Sequence, residues 1–96
     1  MASGYLPAST DVPSRFVREH HRQLLHKAES SLETVPVAER EFASLTMAID
    51  AAKLPQAKEA LRRFRREFAQ DVQKADGKNR VYCLTIQFFP VDVPEE

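Results

Sequence analysis

Ninety-six residues carry 14 Lys and Arg against 14 Asp and Glu, so the net charge is near zero. That excludes nucleic-acid binding by overall charge and leaves room only for a local basic patch. The length suits one domain with a small core. The single cysteine, Cys83, excludes an internal disulfide and a four-cysteine zinc site, which points to a reducing compartment.

Residues 1–11 read as a flexible tail or linker, with Ser3, Gly4, Pro7, Ser9 and Thr10. The opening Met1-Ala-Ser-Gly-Tyr-Leu-Pro7 has neither the charged nor the apolar region of a signal peptide. No apolar run approaches the ~18 residues of a membrane span. The expectation is a cytoplasmic protein. Asp11 as N-cap and Pro13 in the first turn predict a helix from about Pro13 to Glu33. Its apolar stripe is Phe16, Val17, His20, Leu24, Leu25, Ala28, Ser31 and Leu32, at three- and four-residue spacing. Thr34-Val-Pro36 stops it, because the proline forces Val35 out of helical geometry.

A strand is predicted over about Arg40–Ile49. Ala43, Leu45, Met47 and Ile49 share one face, and Phe42, Ser44, Thr46 and Ala48 share the other. Asp50 is expected to cap a short helical turn through Lys53. Pro55 then sits in the first turn of a long helix, Leu54 to about Lys74, where its missing N–H costs nothing. Ala57, Leu61, Phe64, Phe68, Val72 and Ala75 form that helix's stripe. Gly77 is the expected left-handed stop. A second strand follows over about Arg80–Phe89, with Tyr82, Leu84, Ile86 and Phe88 on its apolar face, ended by Pro90. Residues 92–96 form an acidic tail.

The order α-β-α-β implies an α+β fold over residues 12–91. Two amphipathic helices would pack on one face of a small two-stranded sheet. Such a sheet is weak alone and has open edges, so a homodimer is expected to extend or stack it.

Chemistry-bearing residues are sparse. Ser44, Thr46, Thr85 and Gln87 would share the polar sheet face, a surface suited to ligand contact or self-association, or simply a solvated outer face. Lys58, Arg62, Arg63, Arg65 and Arg66 lie opposite the apolar stripe of the second helix. They make a patch for an anionic partner or a solvated cationic face, with Glu59–Arg63 and Arg63–Glu67 pairs offsetting part of the charge. His20, His21 and His26 lack the four-residue spacing of a helical metal site. With only Gly4 and Gly77, the chain has no phosphate-cradling loop, and Cys83 has no charged sequence neighbour to activate it. The expectation is a non-enzyme without metal or cofactor.

Four segments resemble a known family: Arg18–Ala28, Arg40–Thr46, Lys53–Pro55 and Tyr82–Pro90. They are similar to the C-terminal domain of a bacterial family of predicted transcriptional regulators, a domain of unknown function that follows a winged-helix-like region. The resemblance covers about Val12 to Val91. It implies that His21 is the family's helix histidine, Arg40 its strand arginine, Ser44 and Thr46 its strand hydroxyls, and Gln87 its final glutamine. The chain departs from the pattern at Ala43, where serine is common, and at Cys83, where a polar residue is. The segment Gly4-Tyr-Leu-Pro7 looks like the end of the preceding winged region.

The function expected from this resemblance is a C-terminal dimerisation or effector-sensing domain of a bacterial transcriptional regulator. Its partners would be a second copy and a small-molecule or protein effector, with DNA contact left to the N-terminal region. The alternatives are a standalone protein-interaction adaptor and a nucleic-acid-binding module using the Arg-rich helix.

Overall fold

The computed structural model describes residues 14–92. Its elements are α1 (Arg15–Thr34), a 3-10 turn at Val37–Glu39, a second 3-10 turn at Ala51–Lys53, and α2 (Leu54–Val72). The chain divides into two units. One joins the chain up to Phe42 with the chain from Cys83 onward, and the other is Ala43–Tyr82.

In the first unit, α1 begins at Ser14. The Ser14 hydroxyl accepts from the Val17 backbone N–H at 3.2 Å, so one of the orphan donors of the first turn is satisfied. The expected cap, Asp11, and Pro13 lie outside the described residues. At the other end, Val35 is extended (φ −113°, ψ 129°), as the following proline requires. Its N–H still reaches back to the Ser31 carbonyl at 3.1 Å. Ser31 and Thr34 turn their hydroxyls onto the carbonyls of Ala28 and Ser30, a back-bonding habit that loosens the last turns. Val17, Leu24, Ala28 and Ser31 of the expected stripe are half-buried, whereas His20, Leu25 and Leu32 are exposed. Phe16 does not belong to it. It is 87% exposed, because one residue before Val17 is about 100° further round the helix.

In the second unit, Asp50 caps its 3-10 turn as expected, accepting from the Ala52 N–H at 3.0 Å. The turn runs directly into α2, with Pro55 in the first turn. α2 stops at Val72, two residues before the expected Lys74, with the Gln73 N–H bonded back to Ala69. Gly77 is left-handed (φ +70°), but it lies in the bend beyond the helix and does not cap it. The half-buried residues of α2 are Ala57, Lys58, Leu61, Arg62 and Ala69. This strip is rotated from the apolar stripe toward the Lys58 and Arg62 side. Long cationic side chains can cover apolar surface with their methylene stems while the charged heads stay wet.

The α+β expectation is overturned. Among the described residues there is no strand and no sheet, and the regular structure is helical. Alternation of apolar and polar side chains gives a segment two faces, but a sheet also needs its backbone N–H and C=O groups exchanged with a partner segment. Among the described residues, the backbone bonds outside the helices are all local, such as Arg40 N–H to Val37 and Lys53 N–H to Asp50. The helices therefore have no sheet to cover. Leu45 is 77% exposed, and Met47, Ile49, Tyr82, Leu84, Ile86 and Phe88 are exposed as well. None of the described residues is fully buried. No helix among them is long and apolar enough to cross a membrane.

Candidate functional site

The most fully built group of side-chain contacts surrounds Arg40. Pro36 stands four residues after Leu32 and has no N–H, so it cannot satisfy the Leu32 carbonyl as the next helical residue would. Arg40 fills that gap from beyond the 3-10 turn. Its Nε–H donates to the Val35 carbonyl at 2.9 Å, and Nη2 approaches the Leu32 carbonyl at a longer 3.4 Å. Its guanidinium carbon lies 5.6 Å from the centroid of the Phe42 ring, within cation–π range. A cation is also favoured at the negative end of the α1 dipole. The half-buried Arg40 thus joins the end of α1 to the segment that leaves it. The sequence flagged Arg40 as a site residue but did not connect it to α1. The missing donor at Pro36 was the readable signal.

Of the other candidates in this unit, His21 is exposed on α1, its ring tilted at 56° to that of His20 with centroids 5.7 Å apart. Beside it, Arg22 pairs with Glu19 at 2.6 Å. Arg22, Leu25, His26 and Glu29 line a shallow, open depression on the same helix. Thr85 is half-buried, and Gln87 and Cys83 are exposed.

The second unit holds Ser44 and Thr46, both exposed in a segment that is neither helix nor strand. Because no sheet forms among the described residues, alternation does not set Ser44, Thr46, Thr85 and Gln87 on one polar sheet face. On α2, Arg63, Arg65 and Arg66 are exposed, while Lys58 and Arg62 are half-buried. Arg66 Nη2 meets Glu59 Oε2 at 3.6 Å, across two helical turns. The pair is half-exposed at both ends, so it contributes little to stability. The sequence paired Glu59 with Arg63, one turn away, and missed this longer reach.

The apolar side of α2 carries an aromatic pair. Phe64 and Phe68 are one turn apart and stack with centroids at 5.5 Å and planes at 27°. They remain 51% and 41% exposed, so the pair forms a ledge open to solvent. Periodicity puts both rings on the apolar stripe of the helix, and the structure leaves them at the surface.

Among the described residues, no group of three or more His, Cys, Asp or Glu is placed to hold a metal ion. What the geometry offers is a helix face with open aromatic surface beside arginines, an arrangement suited to recognition by contact.

No curated protein and no solved structure matches the chain. A family model described as Domain of unknown function (DUF4423) matches residues 2–91, nearly the whole sequence, and the chain belongs to that family.

Proposed function

We propose that this chain is a non-enzymatic dimerisation or effector-sensing domain of a bacterial transcriptional regulator. The observation that carries the reading is the exposed Phe64–Phe68 ledge on α2. Aromatic side chains bury large areas when covered, and open apolar surface is favourably removed from water at about 25 cal/mol per Å². In this reading a second copy covers that surface, helix face against helix face. The regulator context is supported by the resemblance of Arg18–Ala28, Arg40–Thr46 and Tyr82–Pro90 to the C-terminal domain of predicted winged-helix regulators. Contact with DNA falls to the winged-helix region of such a regulator. The polar groups offered to an effector are His21, Thr85 and Gln87 in one unit and, separately, Ser44 and Thr46 in the other.

Sedimentation equilibrium of the chain tests the pairing, with a dimer as the expected species. A thermal-shift screen of metabolites tests sensing, with stabilisation by a ligand expected. A strict monomer that no metabolite stabilises contradicts the proposal.

A further inference from the structure

We draw no further inference here: the strongest candidate, the exposed cationic patch of Arg63, Arg65 and Arg66 on α2 beside the Phe64–Phe68 face, is an open helix surface, and nothing in the structure shows which anion or partner covers it.

Discussion

Arg40 donates its Nε–H to the carbonyl of Val35, the C-cap of α1, across 2.9 Å, while its Nη2 approaches the Leu32 carbonyl that Pro36 leaves open. Helix ends need their last carbonyls satisfied, and a buried or half-buried orphan costs free energy. Here the donor comes from five residues downstream, so the helix end and the following segment are held by one side chain.

Arg40→Ala removes that donor, the longer contact to Leu32 and the contact with Phe42 together. The expected loss is about 1–2 kcal/mol. That corresponds to roughly 4–8 °C in Tm per kcal/mol for a domain of this size. Arg40→Lys should recover only part of it, because an ammonium cannot reproduce the planar fork of donors. Thermal unfolding followed by circular dichroism measures both variants. An Arg40→Ala protein as stable as the parent would show that the clamp is idle.

The two side-chain caps make a parallel case. Ser14→Ala and Asp50→Ala each remove an acceptor for a first-turn N–H, from α1 and from the turn that leads into α2. Each should cost about 1 kcal/mol, while Ser14→Asp and Asp50→Asn should be nearly neutral. Urea titrations would resolve these differences as shifts in midpoint at constant slope. Equal losses in the conservative and the alanine variants would contradict the capping account.

Gly77 has a positive φ of 70°, and a side chain there would meet nothing within 4 Å. The cost of Gly77→Ala is therefore in the backbone, about 1–2 kcal/mol for an L-residue held in the left-handed region. Gly77→Asn should lose less, since asparagine tolerates that region better. If both variants unfold at the parent's midpoint, the bend after α2 is not held left-handed.

The helices were legible because their signals are local. Pro55 at the start of α2, Asp50 before Ala52, and Val35 ahead of Pro36 act within a turn of themselves, and the structure places each where the sequence did. The expected sheet fails for the opposite reason. Alternation in Leu45, Met47 and Ile49 describes a segment with two faces, but a ladder depends on a partner's backbone, about which periodicity carries no information. The grouping of Ser44, Thr46, Thr85 and Gln87 depends on that sheet face and fails with it. On α2, periodicity groups Ala57, Leu61, Phe64, Phe68, Val72 and Ala75 as one stripe, but of these only Ala57 and Leu61 are half-buried. The half-buried strip actually turns toward Lys58 and Arg62, and the two rings stay open.

The arginines of α2 bear on the nucleic-acid alternative. Titration with short DNA or RNA at physiological salt should be flat if they form a solvated face. Arg62→Ala/Arg66→Ala removes two of these charges, and Arg66→Ala alone should leave stability within about 0.5 kcal/mol, because exposed ion pairs such as Glu59–Arg66 contribute little. Tight, salt-sensitive binding that the double variant loses would instead favour nucleic-acid recognition.

The pairing claim rests on Phe64 and Phe68, and sedimentation equilibrium of the parent beside Phe68→Glu tests it most directly. Circular dichroism of the same samples checks that the variant keeps its helix content. The account predicts a dimer for the parent and at least tenfold weaker association for the variant, about 1.4 kcal/mol. A parent that stays monomeric at high concentration, or a folded Phe68→Glu protein that dimerises as tightly as the parent, would contradict it.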